Sequence, residues 1–353
     1  MTNSSYAFFR LPYAHTYTEV RQDAGEVERL SALSALNGCK GFVIAPFQVS
    51  SDCPILLIRP DHVTEHTVEP TPAASIQKGN ASLCEASHRD DYAADFACFH
   101  HQLQTGHFNK IVLARRATLS IAQPTDPRQL FLQACQRYPR LFIALVAMPS
   151  GDFWLTATPE ILLEGTGANW RTVALAGTMQ LEGEELNGEG EHMRWSTKNI
   201  QEQRYVATYI AGTLERMGIS YHEEGPRTVR AANLVHLRSD FTFSLPDSSR
   251  VGDMLHALHP TPAVCGLPKQ ATFQFITQHE HASRQYYSGF MGPLNLPTAS
   301  VEATHLYVSL RCMQISGAHH HLFAGGGLLK DSIEEQEWLE TEAKMQTMKD
   351  VLR

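Results

Sequence analysis

Two acidic clusters lie far apart in this chain, each at the start of a helix whose apolar stripe turns it inward. Any fold must therefore bring both clusters to a common cation or leave both in water. The first is Lys198-Asn199-Ile200-Gln201-Glu202, opening a run that reads helical over 196–217. There Glu202 shares a stripe with Val206, Ile210 and Leu214, and an ionised carboxylate on such a stripe is costly unless a cation meets it. The second, Glu337 to Lys344, opens a helix predicted over 334–352 with Trp338, Met345, Met348 and Leu352 as its stripe. At roughly 100° per residue, Glu337, Glu340 and Lys344 fall together on one flank of it. Carboxylates from two helices suit a hard, oxygen-ligated cation, foremost Mg²⁺. Two solvated helix N-termini, where glutamate is favoured by the macrodipole, fit the spacing equally well.

Between these clusters the pattern is mostly strand. Runs at 110–119, 141–147, 153–156, 170–176, 286–291, 304–311 and 321–324 read as strands, and 89–103 as an amphipathic helix. Residues 1–58 mix short strand-like runs with one helix-like run at 26–36, and the polar, proline-bearing stretch 59–88 reads as a surface connection. Strand runs adjacent to strand runs, with few long helices, predict an α+β fold with antiparallel pairing rather than a βαβ repeat.

Composition narrows the functional classes. A net charge of −8 and a pI near 6.1 argue against nucleic acid or an acidic membrane surface as partner. No apolar run approaches the roughly 18 residues of a membrane helix, and residues 1–10 lack the pattern of a signal peptide. Seven cysteines, none spaced CxxC, read as reduced thiols of a cytoplasmic protein.

Several residues then suggest chemistry, each with a plainer alternative. Lys110 shares a strand face with Val112 and Ala114, where desolvation favours the neutral amine and suits a general base; a strand-edge lysine reaching water is the other reading. Glu160, presented by Pro159 just after a strand, is a candidate acid or a simple turn residue. Leu175-Ala176-Gly177-Thr178 is a small-residue corner where backbone can approach a ligand closely. Gly325-Gly326-Gly327 offers N–H groups to an anion or forms an ordinary turn; neither GxGxxG nor GxxxxGK is present. His319-His320-His321 reads as an exposed hairpin tip, and His279-Glu280-His281 lacks HExxH spacing. Glu280 and Arg284 read as a structural ion pair.

Taken together, KIVLAR at 110–115, TPEILL at 158–163, LAGT at 175–178, KNIQE at 198–202, LHPTPAVCGLP at 258–268, SLRC at 309–312, LFAGGG at 322–327 and EWLETEAK at 337–344 resemble the chorismate-utilising enzymes. That family includes anthranilate, aminodeoxychorismate, salicylate and isochorismate synthases. The resemblance implies one structural unit of two packed, sheet-containing halves with helices outside. In it, residues 1–88 match only in general character and 89–353 form the chorismate-binding catalytic region. A lysine in the KIVLAR position marks the water-activating isochorismate and salicylate synthases. Ala174 to Ala176 hold no lysine nucleophile of the aminodeoxychorismate type, and LHPTPAVCG with His259 is more similar to the isochorismate synthases.

The implied activity is reversible, Mg²⁺-dependent conversion of chorismate to isochorismate, a product that feeds menaquinone or a catechol siderophore. Salicylate synthase and a non-catalytic carboxylate-binding homologue are the alternatives, and no obligate protein partner is implied. In the implied roles Lys110 is the base that activates water and Glu160 the acid that protonates the departing hydroxyl. Both work in the reverse of their solution protonation states. Glu202 and Glu340 would ligate the metal, with Glu337 acting through water and Asn199 standing where the family commonly has an acid. Arg311, Tyr287, Gly177, Thr178, His259, Gly325, Gly326 and Lys344 are the implied substrate contacts, although Arg311 taken alone also reads as a strand-surface ion-pair residue.

Overall fold

The computed structural model describes residues 5–68, 84–86, 88–121, 125–181, 193–245, 248–298 and 301–352. Long apolar runs build two sheets of ten strands each. The first runs from Gly266–Leu267 through Lys110–Ser120, His319–Leu328, Cys312–Ser316, Phe153–Thr158, Phe142–Ala147, Ser5–Arg10 and Thr16–Gln22 to His62–Thr67, with Cys84–Ala86 pairing off Lys110–Ser120. The second runs from Tyr221–Ala231 through Leu234–Ser244, Asn169–Gln180, Ile161–Thr166, Val301–Val308, Phe290–Leu294, Gly41–Ala45 and Ile55–Ile58 to Glu28–Leu30, with Leu296–Thr298 pairing off Val301–Val308. Pairing along both is antiparallel, as in Gly327 opposite Val112 and Thr178 opposite His236.

Alternation explains why the central strands are apolar throughout. In Phe142–Ala147, Phe142, Ala144 and Val146 enter the core between the sheets, while Ile143 and Leu145 face a second core on the outer side. Six α-helices are described: α1 Arg89–Gln104, α2 Pro127–Arg137, α3 Thr197–Arg216, α4 Val251–Leu258, α5 Lys269–His279 and α6 Glu334–Lys349. Helices α3 and α4 bury Val206, Ile210, Leu214, Met254 and Leu258 against Leu163, Ala174 and Phe241 of the second sheet. Burying each of these large side chains is worth about 1.5–3 kcal/mol. Helices α2 and α6 cover the outer face of the first sheet through Phe131, Ala134, Met345 and Met348. Only Pro159 and Glu160 separate the end of Phe153–Thr158 in one sheet from the start of Ile161–Thr166 in the other.

Four sequence expectations give way here. The stretch 26–36 is a short strand, Glu28–Leu30, followed by a 3₁₀ turn at Leu33–Leu36, because the backbone of residues 28–30 pairs with residues 55–57. The strand expected from residue 286 starts at Phe290, since Gln285 and Ser288 take positive φ (49° and 61°) in the preceding turn. His319 to His321 are strand rather than hairpin tip: Gly317, at φ +56°, makes the turn before them, and His320 is fully buried. The connection expected over 59–88 contains the edge strand His62–Thr67, and residues 69–83 lie outside the described residues.

Candidate active site

A cleft between the two sheets encloses about 630 Å³, its open mouth included. Of the residues singled out from sequence, Glu160, Gly177, Thr178, Glu202, Tyr287, Arg311, Gly325, Gly327 and Lys344 line it. Gly177 is the extra residue of a β-bulge between Ala176 and Thr178, at φ +74°. A Cβ there would lie 3.1 Å from both Cβ and O of Asn199, so the small-residue corner lets the start of α3 close onto the sheet.

Ser196 caps α3 by accepting the Asn199 N–H at 3.2 Å. That fixes the turn from which Lys198 and Glu202 project. Helix α6 is pinned from the other side by Arg115, whose guanidinium lies 3.7 Å from the Trp338 ring centroid and donates to Thr341 Oγ1 at 2.6 Å. The three glycines are strand rather than turn, and they make room for the acidic clusters. A Cβ on Gly327 would stand 2.1 Å from Glu202 Oε1 and 2.9 Å from Lys110 Cε. One on Gly326 would stand 3.2 Å from Glu337 Oε2 and 3.7 Å from Glu340 Oε1. The glutamates from the two helices thus reach neighbouring positions on one strand.

Each glutamate meets a lysine. Lys110, fully buried, is not the lone amine the sequence suggests: its Nζ lies 3.0 Å from Glu202 Oε1, without the alignment of a hydrogen bond. Lys198 pairs with Glu337, and Lys344 with Glu340 at 2.6 Å. Burial pushes the Glu202 carboxyl up, but Lys110, Lys198 and Lys344 outweigh it and hold Glu202 below the ordinary carboxylate range. Burial and the adjacent Glu340 raise Glu337 instead, against the pull of Lys198. Glu337 Oε2 is buried without a hydrogen-bond partner.

The opposite wall differs in charge. Burial pushes the Glu160 carboxyl up to about 8, against the pull of Lys110, Lys344 and Arg311. Arg311 is 5% exposed, sits at φ 45°, and among the described residues has no carboxylate partner. Its guanidinium instead donates to His236 Nε2 at 2.5 Å. Nδ1 of that ring then donates to Gly177 O at 3.0 Å, a neutral tautomer consistent with burial and Arg311 driving the His236 pKa well down. Tyr287, its hydroxyl 2.9 Å from where a Gly325 Cβ would stand, completes this wall.

His259 is not among the cleft-lining residues: its buried ring stacks edge-on against Phe290, with Nε2 3.2 Å from Pro46 O. Lys110, Gly326, Glu337 and Glu340 stand behind the cleft wall rather than on it, Lys110 fully buried beneath Gly327. His236 is the site residue that sequence reasoning passed over. Its one signal was a histidine inside the apolar run Leu234-Val235-His236-Leu237. Glu280 and Arg284 form the structural pair expected, at 2.6 Å, and tie Val112 O to Val264 O behind the cleft.

Comparison with known proteins places this geometry. The model of the family described as chorismate binding enzymes matches residues 57–353. Isochorismate synthase MenF of Escherichia coli is 31% identical over 250 residues, 70% of this chain and 57% of that protein. The salicylate biosynthesis isochorismate synthase of Pseudomonas aeruginosa is 30% identical over 285 residues, 80% of this chain and 58% of that protein. The chain therefore spans less than two thirds of the length of these relatives. The solved structure of the Escherichia coli menaquinone-specific isochorismate synthase superposes with a TM-score of 0.80 at 22% identity, covering 99% of this chain and 89% of that one. Anthranilate synthase component I from Streptococcus pneumoniae gives 0.69 at 15% identity, covering 97% and 89%. Both structures share the fold. No described helix is long and apolar enough to cross a membrane.

Proposed function

The chain belongs to the chorismate-binding enzymes, and from that membership we propose that it is an isochorismate synthase, interconverting chorismate and isochorismate. One observation carries the reading. A carboxyl that keeps its proton to about pH 8 and a guanidinium without a carboxylate partner line the same cleft, beside a buried lysine. Chorismate carries two carboxylates and a ring hydroxyl, and this cleft offers a fixed cation for one carboxylate and an acid for the hydroxyl.

In this mechanism water adds to the second ring carbon, the double bonds shift, and the hydroxyl departs from the fourth carbon. Lys110 takes the proton of the attacking water. Glu160 gives its proton to the leaving hydroxyl, which departs as water, so atoms and charge balance. Arg311, oriented by its hydrogen bond to His236, receives one substrate carboxylate through two parallel hydrogen bonds. Thr178 and the Gly177 bulge seat the ring, and Lys344 steadies Gly325 by donating to its carbonyl at 2.8 Å.

The carboxylates suit Mg²⁺ as donors: hard oxygens, one of them buried and unpartnered on Glu337. Among the described residues no three acidic or imidazole groups yet converge on one point, since each glutamate turns to its own lysine. Glu202 and Glu340 would hold the ion directly and Glu337 through water. When bound, the metal draws charge from the ring carboxylate.

Incubation with chorismate and Mg²⁺ tests the proposal. Isochorismate is expected, with the same mixture reached from either isomer and no enzyme-dependent salicylate or pyruvate. Pyruvate release that scales with enzyme and vanishes in Lys110→Ala would make this a salicylate synthase. Activity that survives exhaustive chelation would remove the metal from the reaction. A second expectation concerns the neutral Asn199: Asn199→Asp adds charge near the cation and should leave the Mg²⁺ requirement unchanged or lower it, read from the Mg²⁺ dependence of the rate.

A further inference from the structure

We propose that Lys198 is an exchangeable counter-ion: it occupies Glu337 while no metal is bound and withdraws into an adjoining recess when a divalent cation arrives. This rests on the metal reading above. Of the lysines on the carboxylate cluster, Lys110 has a side-chain exposure of 0% and is held between two sheet strands, whereas Lys198 is 30% exposed on the first turn of α3. Its partner Glu337 is 1% exposed, and the second oxygen of that carboxylate has no hydrogen-bond partner. Among the described residues one ammonium thus satisfies half of a buried carboxylate, and the other half is left to accept a hydrogen bond from a metal-bound water.

The same lysine forms part of the wall of a second recess, of about 920 Å³ with its open mouth included, next to α3. Asn109, Gln201, Tyr205, Lys330 and Asp331 share that wall, so Asp331 faces one resident cation there already. Asp331 has no ion pair among the described residues, so it offers a displaced ammonium a new counter-charge without leaving the recess. Lysine suits this exchange because its charge is a point on a flexible four-carbon stem, able to trade one carboxylate for another by rotation. The consequence is a metal site with a built-in competitor, whose affinity is set by Lys198 as well as by the glutamates.

Calorimetric titration of MgCl₂ into the whole protein, without substrate, tests this. Lys198→Met is expected to bind Mg²⁺ about tenfold more tightly, since a competing charge at contact distance is gone. Without metal its melting temperature should fall below wild type, and Mg²⁺ should restore it. Lys198→Arg keeps the competing charge and should bind Mg²⁺ within about twofold of wild type. Asp331→Asn, a surface change independent of how Lys198→Met folds, should weaken Mg²⁺ binding by a few fold. Unchanged or weaker binding in Lys198→Met, or an unaltered Asp331→Asn, overturns the exchange. Unchanged binding in Glu202→Gln removes the metal site itself, and the exchange with it.

Discussion

Lys110→Ala is expected to lower turnover by about 10²–10⁴-fold, the usual cost of losing a general base, while the proposed substrate chorismate still binds. The lysine is fully buried at the start of the strand Lys110–Ser120, next to the glycine strand, and among the described residues its one ion-pair partner is Glu202 at 3.0 Å. The proposed carboxylate contact is a different group, Arg311, so the loss should fall on kcat and leave KM nearly unchanged. Steady-state kinetics separate the two, and near wild-type turnover would withdraw the base assignment. Because the substitution also strips Glu202 of a partner, Lys110→Met serves as the bulkier control for packing.

Glu160→Gln is expected to lose turnover to a similar degree and to become more stable than wild type as pH rises. In the folded protein this carboxyl holds its proton to about 8, against an ordinary value of 4.5. Below 4.5 both folded and unfolded chains are protonated there. Between 4.5 and about 8 the unfolded chain ionises while the native one does not, so the native state binds more protons and wild-type stability falls with pH. Above that window the slope ends. Glutamine has no such slope, so its advantage grows across the window to the order of a few kcal/mol. Denaturant melts at pH 5 and pH 8 measure it, and equal differences at the two pH values would mean Glu160 titrates normally. The same group predicts that wild-type kcat/KM falls on an alkaline limb near 8.

Much of this site was legible because its motifs are local. The stripe Glu202, Val206, Ile210, Leu214 marks α3 and also says that Glu202 must meet a cation, which Lys110 provides. The strand carrying Lys110 read correctly from its apolar run, whereas the strand His319–Leu328 was legible only over 321–324, because neither the histidines before nor the glycines after that run look like strand. What stayed hidden depends on pairing across long sequence separations. Nothing in either segment announces that Lys198 reaches Glu337, or that His236 holds Arg311, because these contacts exist only once two sheets are stacked. Helices α2, α4 and α5 are only two to three turns long, too short for their periodicity to stand out from neighbouring apolar runs, and the hairpin of Tyr221–Ala231 with Leu234–Ser244 has a largely exposed, charged outer strand. At 26–36 the apolar spacing suited a helix, but pairing with residues 55–57 won, as tertiary context overrides weak local preference.

The two-residue passage of Pro159 and Glu160 from one sheet to the other has a bearing on how this scaffold tolerates changes of length. An extended residue adds about 3.3 Å, so a single insertion there would carry the acid roughly a full bond-network step out of line with the lysine it opposes. The strand before it is held in register with Phe142–Ala147 up to its last residue, Thr158, and the strand after it already carries a bulge between Ile161 and Leu163. The turn at Gly317 and Ala318, by contrast, joins two strands of one sheet away from the cleft and can lengthen without moving any of these groups. For anyone grafting loops or tags into this framework, the short bridge between the sheets is the place to leave untouched, and the distal hairpin is the place to build.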